Sequence, residues 1–265
     1  MQATLKLEKQ YLVISAIGNA IIACVGLCVA VFSSSQAILL DGLFNLTYFA
    51  TGLFTVKVAT LVSGGDDERF PHGYAFFEPL VNGIKGMLVL GVSVMALIGA
   101  VQALVSGGRP IAAGLAVAYG VFALFTCWTV ALLTRRGAKA TGSPLVGADA
   151  ENWIVNAAIS SCVLLAFAGI FVLEMLEFDA VVPYVDPIVV LAVVLISIGV
   201  PVRMAYTALL ALLNRAPTGD IVARVTEIVD KSLAALPVQE RFIRVIQPGR
   251  QRLVLVHVVL PADYN

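Results

Sequence analysis

Six apolar runs, at about residues 10–33, 36–62, 76–105, 111–134, 145–175 and 185–213, constrain this chain more than any other feature of it. Each exceeds the roughly 20 residues that an α-helix needs to cross a ~30 Å hydrocarbon core. In lipid, every backbone N–H and C=O must be satisfied within its own segment or in a closed barrel, so separate runs of this length are expected to be helices. Composition points the same way: 60% of residues are hydrophobic and only 13% charged, where soluble domains carry about 25% charged residues. Net charge is zero, so no global field favours nucleic acid or an acidic partner. The four cysteines, Cys24, Cys28, Cys127 and Cys162, all fall inside apolar runs, the wrong place for a secreted disulfide framework. They are expected to be small buried packing residues; a soft-metal site at Cys24 and Cys28, which would share a helix face, is the sharper alternative. No cleavable signal peptide is expected, because the first run is too long and no small-residue cleavage site ends it.

Orientation is read from the basic residues. Lys6 and Lys9 precede the first run, Arg135, Arg136 and Lys139 join the fourth to the fifth, and Arg215 follows the sixth; the other side holds Arg109 beside Glu174, Glu177, Asp179 and Asp186. The positive-inside rule then places both termini in the cytoplasm, in a bacterial-type plasma membrane. After "NRAP" the composition becomes that of a soluble domain, so residues 1–215 are assigned to a transmembrane domain and 216–265 to a cytoplasmic one. The latter opens with an amphipathic helical pattern behind Thr218 or Asp220, followed by the strand-like runs "RFIRVI" and "RLVLVHVVL" about a Pro-Gly turn. One helix and one hairpin bury little core. This domain is therefore expected to be incomplete at Asn265 or to need a partner chain.

The polar residues inside the runs carry the functional argument. An Asp at the centre of a membrane helix costs about 2.5 kcal/mol or more on insertion scales, so it is read as functional by default. Asp41 has Asn45 one turn later on the same face, and Asn152 and Asn156 repeat that spacing on the fifth run, with Asp149 and Glu151 nearby. Two such faces meeting would offer four side-chain oxygens to an ion; the alternative for the Asn pair is hydrogen-bonded packing between helices. Hydropathy leaves the two pairs at different depths, since Asp41 follows the start of one run on one side and Asn152 the start of another on the opposite side.

The sequence "SxxAILLDGLFN", the loop "DERFPHGYAFFEPL", the "VGADAENWIVN" start of the fifth run, "YVDPIVVLAVVLI" and "LLNRAP" together resemble the cation diffusion facilitator family. The resemblance implies an all-α membrane protein of six transmembrane helices with a small cytoplasmic α+β, ferredoxin-like C-terminal domain, whose last helix and strand have no counterpart here. It implies a homodimeric secondary transporter that expels a divalent cation in exchange for protons. It also places the transport site on the second and fifth spans, at Asp41, Asn45, Asn152 and Asn156.

The departures from the family pattern shape the expectation. Zinc-type members carry Asp-x-x-x-Asp or His-x-x-x-Asp on the second span and His-x-x-x-Asp on the fifth, where this chain has Asp-x-x-x-Asn and Asn-x-x-x-Asn. Zinc favours His, Cys and carboxylate ligands, whereas neutral oxygens suit harder ions such as Mn²⁺ or Mg²⁺. Of the four residues only Asp41 can carry an exchanged proton. A monovalent or organic cation, or a transport-deficient scaffold of the same fold, are the alternatives. Neither His72, in the loop, nor His257, on a strand-like run, has visible co-ligands, so no tail metal sensor is expected. Phe76 and Asn214 replace the family's charged interlock across the dimer. Glu78, Asn82 and Lys85 fall on one face of the third run, and the lysine, with Lys57, is expected to snorkel to the interface with Glu78 as partner. Asp186-Pro187 is expected to start and cap the sixth span. Gly64-Gly65 and Gly107-Gly108 read as turns. With no nucleophile–base set or phosphate loop in view, an enzyme is not expected, and neither is a tightly bound cofactor. Partners are expected to be a second copy, lipid, the transported cation and protons, and not nucleic acid.

Overall fold

The computed structural model describes residues 2–63, 67–70, 73–142, 144–249 and 251–262, and the apolar runs within them are helical. Helices α1 (Gln2–Ser33), α2 (Gln36–Ser63), α3 (Phe77–Val105), α4 (Ala113–Thr141) and α5 (Pro144–Met175) are followed by α6 (Val182–Ser197) and α7 (Gly199–Leu212), which together form one span. Among the described residues, six spans are long and apolar enough to cross a membrane, so the chain is a multi-pass integral membrane protein. The break at Ile198 has a local cause: Pro201 has no N–H to offer the carbonyl one turn earlier, and the ladder resumes with Val202 N–H donating to Ile198 O at 3.3 Å.

Three segment boundaries differ from the sequence expectation, the first being that α1 starts at Gln2 and not near residue 10. The fourth helix continues past residue 134 to Thr141, so Arg135, Arg136 and Lys139 lie in its last turns and not in a loop. Hydropathy detects only the lipid-matched part of a helix, whereas basic residues favour its C-terminal end through the macrodipole. Gly142, at φ +63°, stops it with its N–H on Ala138 O. The sixth span begins at Val182, which places Asp186 and Pro187 inside α6 and not at its start.

The chain forms two compact units, Met1–Val56 with Lys85–Val202, and Lys57–Ile84 with Arg203–Asn265. In the first, α4 packs most extensively against α5 and then against α1. The buried face of α4 includes Ala116, Gly120, Ala123, Cys127, Val130, Thr134 and Gly137, a four-three alternation of mostly small residues. Small side chains let membrane helices approach until their backbones nearly touch, which is where van der Waals attraction between them is gained. A Cβ on Gly120 would lie 2.9 Å from Leu164 of α5, and one on Gly137 would strike the Tyr11 ring of α1. Around this seam Ile22, Trp153, Phe167, Ile170, Val190 and Val194 are buried.

In the second unit, α8 (Gly219–Leu233) precedes an antiparallel hairpin of β1 (Glu240–Ile246) and β2 (Leu253–Val259), paired from Glu240 with Val259 to Ile246 with Leu253. The helix and hairpin are those read from the sequence. Thr218 takes the N-cap position, but it works through its backbone carbonyl and makes no side-chain cap bond. Past the hairpin turn, Gln251 Nε2 donates to Val62 O at 3.4 Å. The loop before α3 is built on Asp67, which accepts the N–H groups of Arg69 and Phe70 at 2.9 and 2.8 Å and the Tyr74 hydroxyl at 2.6 Å. Phe70, Tyr74 and Phe77 cluster over it. His72, Gly64 and Gly65 lie outside the described residues.

Candidate cation site

Asp41 lies on the second turn of α2, where two glycines make room for it. A Cβ on Gly42 would sit 3.1 Å from the Leu27 nitrogen, and one on Gly26 would sit 3.2 Å from the Gly42 Cα and 2.7 Å from the Tyr119 hydroxyl. The close crossing of α1 and α2 thus admits Tyr119 of α4, whose hydroxyl donates to Asp41 Oδ2 at 2.6 Å. Asn45 completes the group. Its Nδ2 donates to Asp41 O at 2.8 Å and to Oδ1 at 3.1 Å. That orientation turns Asn45 Oδ1 away, and among the described residues this oxygen is buried without a hydrogen-bond partner in a residue only 2% exposed. An orphaned buried acceptor costs about 1–3 kcal/mol, and a cation beside a carboxylate would satisfy it. Further along α2, the hydroxyls of Thr47, Thr51 and Thr55 continue the polar stripe and donate to carbonyls one turn earlier.

On α5, Asn156 is half-buried and Asn152 exposed. Among the described residues, no side-chain hydrogen bond joins either of them to Asp41 or Asn45. Depth can be followed along α1, because Gly26 is level with Gly42 and Tyr119, while a Cβ on Gly18 would lie 3.3 Å from the Trp153 ring. Gly18 and Gly26 are eight residues apart, about 12 Å along the helix at ~1.5 Å per residue. Asn45 is three residues from Gly42 toward the Gly18 level, and Asn156 three residues from Trp153 in the opposite direction, which leaves those two about 3 Å apart in depth. By the same count Asp41 and Asn152 differ by about 15 Å. The packing therefore removes most of the depth mismatch for Asn45 and Asn156, and leaves Asn152 toward the side of the N-terminus.

Asp149, one turn before Trp153, is held by a relay. Trp153 Nε1 donates to Ser15 Oγ at 2.8 Å, and the Ser15 side chain is hydrogen-bonded to Asp149. Among the described residues Asp149 Oδ2 is nevertheless buried without a hydrogen-bond partner. Lys85, on α3, faces Asp149 electrostatically, and its Nζ stands 4.5 Å over the Tyr48 ring. The Lys85 ammonium thus has an aromatic face beside it and an opposite charge on α5.

A second polar cluster closes the opposite ends of the helices. Asp186, fully buried on α6, accepts the Ser35 hydroxyl at 2.5 Å and the N–H groups of Gln36 and Ala37 at 3.0 and 3.2 Å. It therefore caps α2, not α6. Arg109 Nη1 donates to Gln36 Oε1 at 2.9 Å, and Gln36 Nε2 to Ala96 O at 3.3 Å. Gly107 and Gly108, both at φ near +90°, form the expected turn, with Gly108 against Pro183. Sequence reasoning missed Tyr119; its one signal is a phenol hydroxyl in a lipid-length run. The cysteine expectation holds only for Cys127, which is buried beside Ser160, whereas Cys24, Cys28 and Cys162 are exposed on this chain. A residue's place in an apolar run does not say which face of the helix it occupies. Among the described residues, no group of three or more His, Cys, Asp and Glu could hold a metal ion.

The model of the cation efflux transmembrane domain matches residues 12–213. The chain belongs to the cation efflux family. That match reaches into every span and includes both halves of the candidate site, and cation transport across the membrane is the activity of the domain. Among curated proteins no significant match was found.

Proposed function

We propose that this cation efflux protein is a secondary active transporter, not an enzyme, that exports a hard divalent cation of the Mn²⁺ or Mg²⁺ type. One observation carries this reading: the buried Asn45 Oδ1, which lacks a partner, lies beside the Asp41 carboxylate that Tyr119 and Asn45 Nδ2 hold in place. Asp41 supplies the charge, Asn45 and Asn156 oxygen ligands at nearly one depth, and Asn152 a further oxygen on the side from which the ion would arrive. Three amide oxygens and one carboxylate lack the His or thiolate donors that favour zinc. Asp41 is the one member of the four that can carry a proton in exchange. Both termini would lie in the cytoplasm under the positive-inside rule, and a second copy of the chain would complete a homodimer. The test is uptake of Mn²⁺, Mg²⁺, Zn²⁺ and Na⁺ by proteoliposomes with and without a pH gradient, beside Asp41→Asn. Selective divalent flux lost in a folded Asp41→Asn protein is the expected result; unchanged flux in that variant refutes the site. No flux for any ion would favour a scaffold that has lost transport, and Na⁺ flux alone a monovalent carrier.

A further inference from the structure

We infer that Lys85 is a tethered cation that sets the net charge of the transport site and so its preference among ions. The inference rests on the site proposed above. Three observations place it there. The Lys85 ammonium lies 4.5 Å over the ring of Tyr48, and Tyr48 is three residues, about 4.5 Å, beyond Asn45 toward the side of the N-terminus. Its charge is opposed electrostatically by that of Asp149 on α5. Asp149 itself is positioned by Ser15 and Trp153 and keeps a buried Oδ2 without a hydrogen-bond partner. A carboxylate oriented this carefully with one oxygen left over is arranged for a positive charge, and Lys85 is the positive charge that faces it.

The consequence follows from charge counting. By the same count Asp41 and Asp149 lie on opposite sides of the Asn45–Asn156 level, about 20 Å apart in depth; an ion between them meets two negative charges, and Lys85, opposite Asp149, cancels one. Lys85 keeps its charge on a stem and cannot leave, so it limits what an incoming ion finds to a single net negative charge. Removing it exposes the second. At about 10 Å and an effective dielectric of ~20, one unit charge shifts the affinity of a monovalent ion roughly tenfold and that of a divalent ion roughly a hundredfold, because the Coulomb energy scales with ion charge. Packing has no such dependence on valence. The two-to-one ratio of logarithmic shifts is therefore the signature of this role.

The experiment is titration of purified full-length protein in nanodiscs with Mn²⁺ and with Na⁺, read as binding heat and as cation-induced thermal stabilisation. The variants are Lys85→Gln, Lys85→Arg, Asp149→Asn, the Lys85→Gln/Asp149→Asn double variant, and Asp41→Asn. Lys85→Gln should tighten Mn²⁺ by roughly a hundredfold and Na⁺ by roughly tenfold. Lys85→Arg should match the wild type, Asp149→Asn should weaken both ions, and the double variant, whose charge equals that of the wild type, should return near it. Equal logarithmic shifts for the two ions, or binding that Lys85→Gln leaves unmoved while Asp41→Asn abolishes it, would overturn this inference and leave the transport site standing. Should Lys85→Gln alone fail to fold, the Arg, Asp149→Asn and double variants decide by the same ratio. No cation response in any folded variant would overturn the site and this inference together.

Discussion

Deleting one oxygen tests the electrostatic logic of the site most directly. Tyr119→Phe removes the hydroxyl that donates to Asp41 Oδ2 at 2.6 Å and leaves the ring, which packs in a residue only 6% exposed. Hydrogen bonds to a charged group contribute about 1.5–3 kcal/mol, and the tight crossing at Gly26 and Gly42 leaves water little room to replace the donor. The cation-free protein should therefore lose about 2 kcal/mol of stability. A bound cation supplies the carboxylate with the compensation that the phenol no longer gives, so the bound state should lose about half as much. The difference, about 1 kcal/mol, is a gain in apparent affinity of roughly fivefold. Thermal unfolding in nanodiscs across a Mn²⁺ titration reads both quantities: a lower midpoint without the ion, and a larger rise with it. An unchanged midpoint, or a weaker Mn²⁺ response than the wild type, would refute the idea that Tyr119 and the cation serve the same carboxylate.

Asp186→Ala leaves the Gln36 and Ala37 N–H groups and the Ser35 hydroxyl without their acceptor; a loss of about 3 kcal/mol or more is expected in thermal unfolding, against about 1–2 kcal/mol for Asp186→Asn, which keeps one oxygen. Gly26→Ala would place a methyl 2.7 Å from the Tyr119 hydroxyl, at a cost of about 1–3 kcal/mol and with the low-midpoint behaviour of Tyr119→Phe. In the loop before α3, the Tyr74 hydroxyl first, and then the Phe70 and Arg69 N–H groups, hold the Asp67 carboxyl below its ordinary value. A depressed folded value means that this contribution is complete above the unfolded value, near about 3.9, and is lost as pH falls through the lower folded one. Protection of residues 67–70 and 73–77 against hydrogen exchange, relative to their intrinsic rates, should thus hold at about pH 5 and fall below about pH 3.9, and Asp67→Asn should abolish that dependence.

The spans were legible without a structure because lipid imposes a length and a helical hydrogen-bond pattern that any sufficiently apolar run must meet. Asp41 and Asn45 were legible as a pair because helical spacing puts i and i+4 on one face, and their hydrogen bond follows from that local geometry. The hairpin was legible from its Pro-Gly turn. What hydropathy could not reach was everything that depends on which helix faces which. Tyr119 reads as one aromatic among many until the glycines at 26 and 42 bring α1, α2 and α4 together around Asp41. Asp186 reads as the start of its own helix, and only the packing of α6 against the α1–α2 turn shows that it caps a helix some 150 residues away in sequence. Lys85 reads as an interfacial lysine until Tyr48 and Asp149 are seen to face it. The sequence by itself determined the spans, the family and the local polar pairs, because these are set within a few turns of one helix. The depth of Asn156 against Asn45, the partners of each buried charge, and hence the net charge offered to a cation, were decided only by tertiary packing, because small residues far apart in the chain set how closely and at what level the helices meet.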